Sequence, residues 1–199
     1  MKQTKKIKNG VGDLRLIAAV ATILGIIVLV LNTWNCIRVS IDTYVENKNG
    51  NVVEYTKNFI ETKNDKDINR EDKEYIKTKK DANMYMTSYI SDVFLSIIIT
   101  AIGTIGFWRL TNFYNKENLD NPFDENVINN LKTTQKFMYN TWVVWIIGTL
   151  IECIVFMFAT VSYSSALLED VILYLIANAF IQFIIFILEK GQLKNSKEI

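Results

Sequence analysis

Histidine is absent from this chain of 199 residues. Without it the commonest general base and the commonest metal ligand are gone, and so are Ser/His and Cys/His nucleophilic schemes. Cysteine occurs twice, as Cys36 near the end of one apolar run and Cys153 well inside another. Two cysteines so placed make neither a disulfide framework nor a zinc site, and they read as small apolar fillers. Charge of one sign is also lacking: 22 Lys+Arg face 21 Asp+Glu. No bulk field therefore draws the chain to nucleic acid or to acidic substrates. There is no glycine-rich phosphate loop and no pair of aspartates within an apolar run. The expectation is a protein that is not an enzyme, with no cofactor, no metal site and no direct nucleic-acid binding.

What the sequence does hold is long apolar runs, set apart from its charges. Half of the residues are hydrophobic and 22% are charged, yet the two sets scarcely alternate as they do in a soluble domain. Apolar runs cover about residues 16–37, 88–108, 137–161 and 167–188, of which the first holds no charged residue. About 20 helical residues cross a hydrocarbon core of about 30 Å. Their β-branched content would suit strands, but unalternated runs of this length are helices in lipid, where backbone groups must be satisfied within the segment. The predicted fold class is thus all-α, an integral multi-pass membrane protein with four transmembrane helices in a single domain. The first span reads as a retained anchor, since no small-residue cleavage site accompanies it.

Lys2, Lys5, Lys6, Lys8 and Arg15 precede the first span. Arg109, Lys116, Lys132 and Lys136 lie between the second and third, and Lys190, Lys194 and Lys197 follow the fourth. The positive-inside rule then places both termini in the cytoplasm of a cell membrane. Segment 39–87 becomes an extracytoplasmic loop and 109–136 a cytoplasmic one. Segment 39–87 carries nine Lys/Arg balanced by ten Asp/Glu, and longer loops translocate with little regard to charge. Trp34, Trp108, Trp142 and Trp145 all fall near span ends, at headgroup level.

Within the outer loop, Thr43–Glu46 and Val52–Tyr55 flank an Asn49-Gly50 step that tolerates positive φ, which predicts a small β-hairpin. Asn69 followed by Arg70, Glu71 and Asp72 predicts a helix start. This loop is either an extracellular binding surface or a solvated spacer. In the inner loop, the sole proline, Pro122, forces the preceding residue into extended shapes and ends the second helix. Asp124 then caps a new helix, Glu125 suits its positive end, and Phe123 is a staple-like residue at its start. Val127, Ile128 and Leu131 form one apolar stripe, opposed by Asn129, Asn130 and Lys132. A short amphipathic helix at the inner interface is expected to lead into the third span.

Pro122-Phe123, then Asn126-Val127, then Leu131-Lys132, between the second and third of four spans, resemble the signature of the YoaS-like family. That family comprises bacterial multi-pass membrane proteins classed as a domain of unknown function. The resemblance implies a partner, since members are often encoded beside a small helix-turn-helix regulator.

Glu152 lies 15 residues into the third run, where an ionised carboxylate costs about 2.5–3.5 kcal/mol on insertion scales. It must face other helices or water, or hold its proton. Asn178 on the fourth run and Ser96 or Thr100 on the second reach a similar depth. Asn178 and Gln182 are one turn apart and share a face. The expected intramembrane polar cluster is Glu152, Asn178, Gln182 and Thr100, serving either as an ion-handling site or as a clamp between helices. Ala21 with Gly25, and Gly103 with Gly106, permit close backbone approach. Two functions follow. One is a non-enzymatic regulatory or interaction protein of the bilayer, with a protein partner and possible self-association as a homo-oligomer. The other is an oligomeric transporter or channel component with Glu152 as the ion- or proton-handling group.

Overall fold

A computed structural model describes residues 2–63, 75–115, 118, 120–155 and 164–195. Among these residues five helices follow in order: α1 (Lys2–Asn49), α2 (Val52–Lys63), α3 (Lys79–Phe113), α4 (Glu125–Val155) and α5 (Ser164–Asn195). Among the described residues there is no strand. The expected β-hairpin is corrected: Thr43–Glu46 lie in α1 and Val52–Tyr55 in α2. The Asn-Gly step does turn the chain, but as a helix terminus. Gly50 adopts φ +83° and the Asn51 amide donates to the Glu46 carbonyl at 2.9 Å. This is the six-to-one bond of a Schellman cap. Asn51 in turn gives its carbonyl to the Tyr55 amide at 3.0 Å and so opens α2.

Among the described residues, three helical stretches are long and apolar enough to cross a membrane: Arg15–Asn49, Lys79–Phe113 and Ile172–Leu193, with mean hydropathies of 2.5, 2.0 and 2.1. Protein buries only 11%, 33% and 17% of their most apolar windows. A helix apolar all round and yet uncovered by its own chain is compatible with lipid contact. The expected span 137–161 is not among the three; its residues 137–155 lie in α4 and 156–161 fall outside the described residues. So does the expected helix start at Asn69–Asp72.

The chain divides into two compact units. One comprises Met1–Leu29, Ile98–Ile146 and Ala166–Ile199. In it α3 is the common neighbour, and glycines set the approach. A Cβ at Gly25 of α1 would strike the Thr104 side chain; at Gly103, the Tyr174 ring of α5; at Gly106, Met138 of α4. Each missing side chain lets two helices close in, as dispersion between helices in lipid requires. On α4, Val127, Leu131, Thr134, Met138 and Thr141 recur every three or four residues and all are buried. The amphipathic stretch and the start of the expected third span are therefore one helix. Asp124 caps it as expected, accepting from the Asn126 amide at 2.7 Å. Phe123, expected as a local staple, instead lays its ring on Gly191 of α5.

The other unit comprises Val30–Ile97 and Ile147–Ser165. Here segment 39–87, expected as a loop, carries a hydrophobic core of its own. Val39 from α1, Val52 and Ile60 from α2, and Ile76, Ala82, Tyr85, Met86 and Tyr89 at and beyond the start of α3 are buried together. Val52, Thr56 and Ile60 are wholly enclosed while Glu54 and Asn58 between them are exposed, a pattern that fits one face of a helix and not the two-residue alternation of a strand. Thr78 and Asp81 form a reciprocal capping box at the start of α3: the Thr78 amide donates to Oδ2 of Asp81 at 2.9 Å, and the Asp81 amide to Oγ1 of Thr78 at 3.2 Å. Lys79 Nζ donates to the Asn47 carbonyl at 3.1 Å, placing a cation on the negative end of α1.

Gly50→Ala should destabilise this core by about 1–2 kcal/mol, the cost of a left-handed conformation with a Cβ. Amide hydrogen exchange across residues 52–63 measures it; unchanged protection there would show that the cap does not depend on Gly50.

Candidate functional site

The described residues form several open recesses that gather polar side chains, and two of them stand one in each unit. The first, of about 310 Å3, lies between the end of α1 and α2. Asn35, Arg38 and Asp42 line it from α1, and Tyr55, Asn58 and Phe59 from α2. Phe59 stacks edge-on against Tyr89, with centroids 4.9 Å apart. The Tyr89 hydroxyl accepts from Asn35 Nδ2 at 3.0 Å. That wall is fixed. The rim is looser: Arg38 Nε stands 3.7 Å from Asp42 Oδ2, with the side chains 71% and 44% exposed. A helix pair of this kind contributes only about 0.3–0.5 kcal/mol, so either charge is free to exchange partners. Burial, and then the nearby Asp42 charge, push the Tyr55 phenol above its ordinary value. It stays a neutral hydrogen-bonding group at all ordinary pH.

The second recess, of about 630 Å3, lies between α4 and α5. Asn178 Nδ2 donates to the Gln135 carbonyl at 2.9 Å, and Gln135 Nε2 donates to Gln182 Oε1. The shared face predicted for Asn178 and Gln182 thus exists, and what joins them is Gln135. One end is closed by Lys132 and Glu189, 2.6 Å apart. Lys136 lines the same recess and has no ion-pair partner given among the described residues. Ile185 forms its buried floor. Amides, a cation and an apolar floor can hold an anionic or amide-bearing group, but nothing here activates a bond.

The expected cluster is only partly assembled. Thr100 is buried, and its carbonyl accepts from the Thr104 hydroxyl at 2.7 Å; no bond joins it to the amides. Ser96 accepts from Asn32 Nδ2 at 3.2 Å. Glu152 lies on α4, and its side chain falls outside the described part of the structure, as does that of Cys153. Of the family-like residues, Pro122 and Phe123 form the turn before α4, Asn126 offers its amide to the cap, and Leu131 is wholly buried. Trp34 and Trp108 are well exposed, as headgroup-level residues should be. Trp145 departs from that pattern, because its Nε1 is buried with no acceptor among the described residues.

Gln135 was missed because it lies two residues before the apolar run and was counted with the loop. The first recess is missed in the sequence because Val52–Tyr55, the first turn of α2, reads there as a hairpin strand. No group of three or more metal-ligating side chains forms among the described residues. Comparison with known proteins finds no matching family model, no similar curated protein and no similar solved structure.

Gln135→Ala removes one side-chain bond between α4 and α5 and spares the Asn178 bond to the backbone. Such bonds average about 0.6 kcal/mol in membrane proteins, with maxima near 1.7. A loss within that range is expected from reversible unfolding in mixed micelles, and a larger loss for Asn178→Leu, which leaves the Gln135 carbonyl without its donor.

Proposed function

We propose that the chain is a non-enzymatic regulatory or interaction protein of a bacterial cell membrane, and that its capture surface is the helical cap formed by residues 38–63 and 75–90. The observation that carries this reading is the cap's own buried core, on which the 310 Å3 recess is built. A spacer needs no core, and a segment that orders itself must recover the conformational entropy it loses. The recess also has the chemistry of a binding hot spot. Tyr55 and Phe59 give rigid apolar area, while Arg38 and Asp42 sit exposed at the rim with little energy invested in each other.

In this reading the apolar run 137–161 is a fourth span. Both termini are cytoplasmic, which puts the cap outside. The basic residues beside the α3–α4 turn and at the end of α5 support that orientation. Kinship with the YoaS-like family rests on Pro122, Phe123, Asn126 and Leu131. A helix-turn-helix regulator is the partner that kinship implies, and it would meet the inner face.

A photo-reactive amino acid at Asn58, in whole cells, tests the capture surface. It should give one discrete protein adduct, lost when Phe59→Ala loosens the recess and retained when the remote Lys190→Ala is made. No adduct, or an adduct indifferent to Phe59→Ala, would sink the cap as the capture surface. Single cysteines at Asn58 and Asn130, in a background without Cys36 and Cys153, test orientation. An impermeant maleimide should label the first in intact cells and the second only after lysis.

A further inference from the structure

The face of α1 turned away from the cap core is apolar at a regular interval. Between Val30 and Asn49 the exposed large hydrophobics are Val30, Leu31, Trp34, Ile37, Ile41, Tyr44 and Val45. Five of them, Val30, Trp34, Ile37, Ile41 and Tyr44, are spaced four, three, four and three residues apart. That alternation is the 3.5-residue repeat of a coiled-coil seam and not merely the mark of an apolar helix. In sequence the same spacing runs back through Ile27, Ile23, Val20 and Leu16, each again exposed. The residues that α1 gives to its own unit lie elsewhere on the helix: Asn32 bonds Ser96, Asn35 bonds Tyr89, and Val39 is 4% exposed in the core. Packing within the chain and the outward seam therefore use different sides of one helix.

Lipid accounts for the seam only as far as lipid reaches. In Val30–Leu31 and earlier, exposed apolar residues occur on other sides of α1 as well, so the repeat there is not distinctive. Beyond Trp34 it is. Arg38, Ser40, Asp42, Thr43, Glu46 and Asn47 surround Ile37, Ile41 and Tyr44, which keep the spacing into a segment otherwise fit for water. Ile41 and Tyr44 are 57% and 70% exposed. At Lys48, the next position in the repeat, the seam stops, two residues before Gly50 ends the helix.

We infer that α1 pairs with α1 of a second copy of this chain, as a parallel, in-register two-stranded seam through Trp34, Ile37, Ile41 and Tyr44. The inference rests on the membrane insertion proposed above. Insertion gives all copies one direction and one depth, so equal positions meet across a twofold axis without any search for register. Each layer then meets itself: Ile37 on Ile37, Ile41 on Ile41, and Tyr44 rings on each other, an arrangement open to offset stacking. Lys48 facing Lys48 is unfavourable and sets the seam's end. At roughly 100 Å2 of exposed surface apiece, the five residues Val30, Trp34, Ile37, Ile41 and Tyr44 present on the order of 500 Å2 per copy, so a pair buries about 1,000 Å2 in total, the size at which a specific interface begins.

Oxidative crosslinking of single cysteines tests this in membranes holding the full chain without Cys36 and Cys153. Cysteines at positions 34, 37, 41 and 44 should give dimer, with yields roughly tenfold above those at positions 39 and 43, following the 3.5-residue period. Ile41→Lys, which alters an exposed residue and leaves the cap core untouched, should abolish the crosslink at position 37 and halve the mass seen by native mass spectrometry. Equal yields at all positions, a maximum at 39 or 43, or a dimer indifferent to Ile41→Lys would overturn the proposal. So would an adduct of these positions with a different chain. Sedimentation with membranes, measured on the same samples, separates the two readings: absence from the membrane fraction refutes insertion, whereas presence there without crosslinks refutes only the seam.

Discussion

Apolar surface that the chain does not cover for itself governs how the rest is built. Along α1, protein buries about a tenth of the most apolar window, and leaving such surface in water costs on the order of 25 cal/mol per Å2. Once lipid covers that surface, the hydrophobic effect no longer brings helices together, and other contacts must. The glycines supply one kind, since Gly25, Gly103 and Gly106 each sit under a side chain from a neighbouring helix. Polar pairs supply another. Hydroxyls also turn back on their own helix, as Thr22 does to the Ala18 carbonyl and Thr104 to that of Thr100. Gln135, Asn178 and Gln182 satisfy one another between α4 and α5 for the same reason.

The cap follows the opposite regime. Its charges are solvated, and it holds together by burying Val52, Ile60, Ile76 and Met86 completely. Two of its helix ends are closed by named devices: the end of α1 by Gly50 in the left-handed region and by Lys79, and the start of α3 by the Thr78–Asp81 box. None of these devices needs a membrane. They need only that residues 38–49 and 52–63 be helical, which the β-branched residues Val45, Val52 and Val53 argue against locally and tertiary packing enforces.

The sequence was most legible where local chemistry decides the outcome. Asp124 capping α4, the buried stripe of Val127, Ile128 and Leu131, and the shared face of Asn178 and Gln182 all depend on residues within a turn or two of each other. The hairpin failed for an instructive reason. Positive φ at Gly50 was read correctly, but that conformation serves both a hairpin turn and a helix C-terminus. Polar Glu54 and Asn58, set midway between Val52, Thr56 and Ile60, decide between them: they break the two-residue alternation of a strand and suit a helix, and this outweighs β-propensity. Long-range pairings were not legible at all. Nothing within the 121–132 stretch says that Phe123 lies on a glycine almost seventy positions later, or that Gln135, counted as loop, joins the amide pair of α5.

Residues 35–44 of α1 carry two proposals at once, and the helix geometry lets them coexist. Asn35, Arg38 and Asp42 line the recess, while Ile37, Ile41 and Tyr44 continue the seam that Trp34 begins. Arg38 adjoins Ile37, so a partner that draws its guanidinium away from Asp42 repositions a charge at the seam's edge. If capture in the recess and pairing along the seam both occur, linkage makes them mutual: whatever binds the paired form more tightly must also strengthen pairing by the same factor. A change of even 1–3 kcal/mol in that coupling is a 5–150-fold change in affinity. The same ten residues are therefore placed to turn an event at the cap into a change of association state, with no catalytic group required.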